Sequence, residues 1–261
     1  MPRPSSRGTL SRRALGAVAL GLTLSRVARA DPSQSSGKLA AGTRFETTYT
    51  LVDSGAPGPL VMIVAGIHGN ELAPPEAARR LVSEPLEKGR LFVLPDASRP
   101  AIAARARYAP NSRYPNLNRN FPTLRRPTPR GVMAPALWAE TQSRAPDWVV
   151  DLHEGWGYRA SSKSMGSSVV AAIHPRVEAR LLPMAERVLQ AVNTTVDKPG
   201  KTFQLIRPGP KGSFARAVVE QLTIPALVFE TTWTQPMELR LTQQRLMVRT
   251  LLGALGMVCK P

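Results

Sequence analysis

A chain of 261 residues with 43% apolar content is long enough for one α/β domain with a real core, which excludes a disordered polyelectrolyte despite a net charge of +17. That charge is uneven: residues 1–30 hold six arginines and no acid, and setting them aside leaves +11. The single cysteine, Cys259, excludes both an internal disulfide framework and a multi-thiolate zinc site.

Residues 1–30 read as a cleaved export signal. Ser11-Arg12-Arg13 precedes a largely apolar stretch from Ala14 to Leu24, and Ala28-Arg29-Ala30 resembles a small-residue cleavage site. The apolar stretch is shorter than the ~20 residues that span a bilayer. The paired arginines resemble a twin-arginine signal; the alternative is a general secretory signal rich in arginine. Either predicts a bacterial periplasmic or secreted protein with no stable membrane insertion after signal removal.

Residues 31–43, rich in Ser, Gly and Ala, read as a flexible lead-in, and 44–261 as a single catalytic domain. Arg44 to Val52 predicts an edge strand, 55–58 a turn, and Pro59 to Gly66 a buried strand. A helix opens near Glu71, with Pro74 and Pro75 tolerated in its first turn. Arg90 to Pro95 is the next strand. Residues 97–133 form a loop-like region dense in Arg and Pro, without Asp or Glu. Ala134 to Ser143 predicts a helix, Trp148 to His153 a strand, and Ser168 to Ile173 another. Val177, Leu181, Ala185, Val188 and Val192 share one face of a helix over 175–192. A short strand at 204–206 and a short helix at 214–221 precede the strand Ala226 to Glu230. The final helix, 238–255, turns Leu241, Val248, Leu252 and Leu255 inward and Arg240, Gln244 and Arg249 outward. This alternation describes an α/β sandwich around a largely parallel sheet.

Active sites in such sheets collect at the carboxyl ends of the strands. His68, His153 and Glu230 each end a predicted strand, and Glu71 follows His68 by one turn. Two histidines and a glutamate with an open fourth position are the ligands of a catalytic zinc, one ion per chain. Glu230 ends a run of apolar residues and is the candidate general base. Glu154 neighbours His153, but adjacent strand residues face opposite sides, so it should look away from the metal. Asp151 shares the face of His153 and is a candidate partner for a ligand histidine. In the acid-free loop, Arg119 with Asn118 could grip a substrate carboxylate, while a second arginine stabilises an oxyanion. Trp156 and Trp233 follow His153 and Glu230, and either wall a pocket or simply pack.

His68-Gly69-Asn70-Glu71, Asn118-Arg119-Asn120-Phe121-Pro122, Asp151-Leu152-His153-Glu154-Gly155 and Phe229-Glu230-Thr231 occur in the order of the zinc carboxypeptidases. Among these the chain most resembles the succinylglutamate desuccinylase/aspartoacylase-like branch, from about Leu60 to Leu255. The resemblance implies a carboxypeptidase-like three-layer α/β sandwich with a mixed, largely parallel sheet. It implies His68, Glu71 and His153 as zinc ligands, Glu230 as the catalytic carboxylate, and Asn118 and Arg119 as binders of a terminal carboxylate. Arg107 is the better match to the family's oxyanion arginine, with Arg113 the alternative. Only one helical pattern follows Glu230, so the extra C-terminal β domain of aspartoacylases is not expected.

These readings predict an exported zinc hydrolase that cleaves an amide next to a free carboxylate, on a small peptide or an N-acyl amino acid. A non-catalytic anion- or peptide-binding protein is the alternative from another class. Despite a pI near 11.3, no basic motif interleaved with aromatics accompanies the charge, so nucleic acid is not an expected partner. Oligomeric state is not legible in the sequence.

Overall fold

The computed structural model describes residues 30–258. The segment read as an export signal, apart from Ala30, and Cys259 lie outside the described residues. One mixed sheet of eight strands organises the chain, in the order β1-β2-β4-β3-β5-β8-β6-β7. These are β1 (Ser33–Leu39), β2 (Thr47–Asp53), β3 (Leu60–Val64), β4 (Arg90–Leu94), β5 (Trp148–Gly155), β6 (Ser168–Ala171), β7 (Gln204–Ile206) and β8 (Ala226–Thr232). The central run β4-β3-β5-β8 is parallel, β1 and β2 pair antiparallel with their neighbours, and β6 runs antiparallel to β8 but parallel to β7.

Helices cover both faces. They are α1 (Ala73–Val82), α2 (Arg99–Ala103), α3 (Met133–Arg144), α4 (Pro175–Asn193), α5 (Phe214–Ala217) and α6 (Met237–Ala254). Strand alternation divides the core in two. Met62, Phe92, Val149 and Val228 pack with Leu137 of α3 and Phe214 of α5. Ile63, Val93, Val150 and Phe229 pack with Leu81 of α1, Val188 of α4 and Leu251 of α6. Every residue of β3 is buried, as expected of a parallel strand covered on both faces. Among the described residues, no helix is long and apolar enough to cross a membrane.

The structure revises three expectations. Ser33–Leu39, within the segment read as a flexible lead-in, is a regular strand whose backbone pairs with β2 from Ser33↔Asp53 to Leu39↔Thr47. Its small polar side chains hid it, because an outer strand needs backbone partners more than an apolar face. The strand predicted at 44–52 is therefore interior, between β1 and β4. On α6, Gln244 is fully buried and the Arg240 side chain is only 12% exposed, so neither points outward.

Candidate metal centre

Two sharp turns deliver the first histidine. After β3 the chain passes Gly66, at φ +70, where an added Cβ would lie 2.6 Å from the Pro95 carbonyl oxygen. Gly69 then packs so closely that a Cβ would sit 2.0 Å from the Ala101 backbone. Only glycine fits this approach. It presses the His68 loop against α2 and lets Glu71 turn back beneath the sheet's carboxyl edge. His153 and Glu230 arrive by a simpler route: they are register partners on the adjacent parallel strands β5 and β8.

Glu71 is the hub. One carboxylate oxygen lies 2.7 Å from His68 Nδ1 and accepts from Arg107 Nη1 at 3.0 Å; the other lies 2.9 Å from His153 Nδ1 and accepts from the Glu154 backbone N–H at 3.0 Å. On its other side, His153 Nε2 is 3.2 Å from Asp151 Oδ2 and 3.3 Å from Asn118 Nδ2. All three ligand candidates are buried, and their donor atoms lie within 4.8 Å of one another. The set fits zinc: two imidazole nitrogens already aim at one carboxylate, and the buried His68 Nε2 has no partner. These residues also form the candidate metal group found among the described residues.

Electrostatics follow from this packing. Burial pushes Glu71 up, but His153 and His68 outweigh it and hold the carboxyl below the usual range. Burial pushes His153 down, yet Asp151 and Glu71 hold it well above an ordinary histidine. His68 is lowered, by burial first and only partly offset by Glu71. Glu230 is raised to about 8, by burial first; the His153 charge opposes this, and the carboxylates Glu71 and Asp151 add to it.

Glu230 therefore favours its protonated form in the metal-free fold. Its stabilising contribution is fully present below the unfolded pKa near 4.5 and is lost as pH rises through about 8. Metal-free Glu230→Gln should match wild type in melting temperature at pH 5 and exceed it by roughly 5 °C at pH 9. Scanning calorimetry across that range checks the sign; a gap that shrinks with pH would contradict the assignment.

A cavity of about 320 Å³ opens above the cluster, lined by His68, Arg107, Asn118, Arg119 and Glu230 among others. Arg113 does not share it. That side chain stacks on Tyr114 and lines a separate hollow beside Arg44 and Arg130, so of the two arginines only Arg107 lines the cavity above the cluster. The Asn118 side chain is largely engaged inside the protein, its Oδ1 accepting from Phe214 N–H at 2.9 Å, while its carbonyl holds Arg119 Nη1 at 2.6 Å. Trp156 and Trp233 line the mouth at 59% and 39% exposure, too open for ordinary packing. Lys163, Ser164 and Met165 complete that wall. They sit on a loop without periodicity, so nothing in the sequence marked them.

Glu154 faces the opposite side of the sheet. Its carboxylate accepts from Ala73 N–H at 3.0 Å, from Arg240 Nη1 at 2.9 and 3.1 Å, and from Thr231 Oγ1 at 3.3 Å. Gln244 donates to the His153 carbonyl at 2.8 Å and to the Phe229 carbonyl at 3.4 Å. Behind the site, then, α6 ties together the segments that carry Glu71, His153 and Glu230. Gln244 precedes Val248 by one turn, so a polar residue on an apolar stripe was the available signal. Arg240→Met strands a buried carboxylate and should lower the unfolding free energy by roughly 3 kcal/mol. A urea titration showing a loss under about 1 kcal/mol would assign the pair no more than a surface role.

Two histidines and a glutamate that could hold a metal ion gather at the carboxyl edge of a mixed α/β sheet of the carboxypeptidase-like class. The model of the succinylglutamate desuccinylase/aspartoacylase catalytic domain matches residues 57–254, and the chain belongs to that family, one of hydrolases acting on amide bonds. The fold is similar to that of mDAP-bound Helicobacter pylori Csd4, a D,L-carboxypeptidase, at 21% identity and TM-score 0.66 over 78% of this chain and 54% of that one. An aspartoacylase family protein from Mesorhizobium loti gives 22% identity and TM-score 0.64 over 88% of this chain and 69% of that one. The product-bound ectoine utilization protein EutE (DoeB) from Ruegeria pomeroyi gives 18% identity and TM-score 0.60, covering 82% of this chain and 62% of that one. At such identities the likeness is one of fold. This chain spans about half the length of the Csd4 structures, 54% in the mDAP-bound form. No curated protein matches the chain.

Proposed function

We propose that the protein is an exported, zinc-dependent amide hydrolase that cleaves next to a free carboxylate, in the manner of a metallocarboxypeptidase. The observation that carries this reading is the single cavity in which His68 and Glu230 face Arg107 and Arg119. His68, Glu71 and His153 would hold one zinc, which supplies Lewis acidity and makes water acidic near neutral pH.

The chain's own groups supply the rest. Glu230, buried and with a raised proton affinity, takes a proton from the attacking water at its carboxylate and returns it to the leaving nitrogen. Arg107, 43% exposed and held at one end by Glu71, presents its guanidinium to the negative charge that develops on the carbonyl oxygen. Arg119 offers a planar fork to the substrate carboxylate. Asn118 orients both sides, touching His153 with its amide and Arg119 with its carbonyl.

The open mouth between Trp156 and Trp233 favours a peptide over a compact acyl amino acid, and the likeness to a D,L-carboxypeptidase supports the same choice. The family's namesakes favour the second reading, an N-acyl amino acid deacylase. Export rests on the arginine pair and apolar run of residues 11–24. A panel of short peptides and N-acyl amino acids, scored for released amine by the zinc-loaded protein, separates the readings. Faster release from peptides is expected. Faster release from acyl amino acids would establish the deacylase, and anion binding without any release would leave the non-catalytic binding protein.

A further inference from the structure

A second hollow, of about 310 Å³, lies on the far side of Arg119. Arg119, Arg125, Arg126, Lys211 and Arg216 bring five cations to it, against one carboxylate, Glu220. Arg216 already takes that carboxylate at 2.6 Å. Arg126 spends its Nη2 on the carbonyls of Arg119 and Phe121, at 3.0 and 2.6 Å, and its buried Nε has no partner. Burial disfavours the charges of both Arg119 and Arg126, and Arg107 and Arg130, which lie outside the groove, add to the effect.

The groove is built rather than incidental. Gly212, at φ +73, approaches the Arg119 carbonyl so closely that a Cβ would lie 2.9 Å away, which sets Lys211 beside Arg119. Phe121 N–H donates to the Gly212 carbonyl at 3.1 Å and locks the two loops together. Apart from Arg216 with Glu220, the cations lining the groove have no ion-pair partner among the described residues, and a bound anion would neutralise them.

We propose that this groove is a second anion subsite, and that it receives further carboxylates of an acidic peptide whose scissile amide lies in the His68–Glu230 cavity. The proposal rests on the amide-hydrolase reading. Arg119 borders both hollows, so the carboxylate it grips need not be the last on the leaving side. An acidic peptide is favoured over nucleic acid because no aromatic ring lines the groove to stack a base, whereas exposed Leu124 offers an apolar side.

The test compares wild type with an Arg125→Ser/Lys211→Ser double variant on two peptides, identical except that one ends in two glutamates and the other in two alanines. Wild type is expected to favour the acidic peptide about tenfold in kcat/KM, the scale of one charge-assisted hydrogen bond. The double variant is expected to lose that preference while cleaving the alanine peptide at the wild-type rate. An equal preference in both proteins, or none in wild type, would overturn the proposal. If neither peptide is cleaved, the hydrolase reading fails instead, and calorimetric binding of triglutamate to the two proteins decides the groove on its own. Equal binding would overturn it, as would an oligonucleotide that displaces triglutamate at lower concentration.

Discussion

Glu230→Gln is expected to lower kcat by roughly 10³-fold while leaving the zinc content of the purified protein unchanged. Glutamine keeps the shape and most of the packing of a side chain that is 8% exposed, but it cannot take up a proton and pass it on. The register partnership of Glu230 with His153 places its carboxyl beside the ligand cluster without making it part of that cluster. Steady-state kinetics and metal analysis on the same preparation check both halves. A loss below about tenfold would remove Glu230 from proton transfer. Glu154 would not inherit the role, because Arg240, Thr231 and the start of α1 already occupy its carboxylate behind the sheet.

His68→Ala is expected to abolish stoichiometric zinc, from about one ion per chain to almost none after dialysis, with affinity reduced at least roughly 10³-fold. Losing His68 leaves only Glu71 and His153 from a three-ligand set. Loading should also release about one proton near neutral pH, because His153 is held protonated by Asp151 and Glu71 and must present a bare nitrogen. Titration in two buffers of different ionisation enthalpy measures that proton. A wild type that stays folded, contains no zinc and takes up none would remove the metal site, and with it the hydrolase reading.

The meeting of His68, His153 and Glu230 at one edge of the sheet was legible because three apolar runs end there, and a parallel strand order brings such ends together. The opposite facing of Glu154 followed from strand alternation alone. Other parts were not legible, for physical reasons. Backbone pairing holds β1 although its side chains are exposed along most of its length, and hydropathy does not record backbone hydrogen bonds. Arg240 and Gln244 were assigned outward because patterning equates polarity with solvent, whereas both fill buried positions as donors to strand-end groups. Arg107 and Arg113 are similar in sequence context. Only the path of the loop decides that one meets Glu71 and the other Tyr114.

The bracing of the site by α6 sets an order of events during synthesis. His68 and Glu71 leave the ribosome first, His153 much later, and the strand bearing Glu230 later still. The helix that clamps these segments from behind is made after all of them, because Arg240 and Gln244 follow Glu230 in the chain. An incomplete chain can therefore hold the ligands in sequence but not in register. Any ion the cluster holds would then be retained only once α6 is made, and a pause in translation before residue 237 would leave the cluster unbraced.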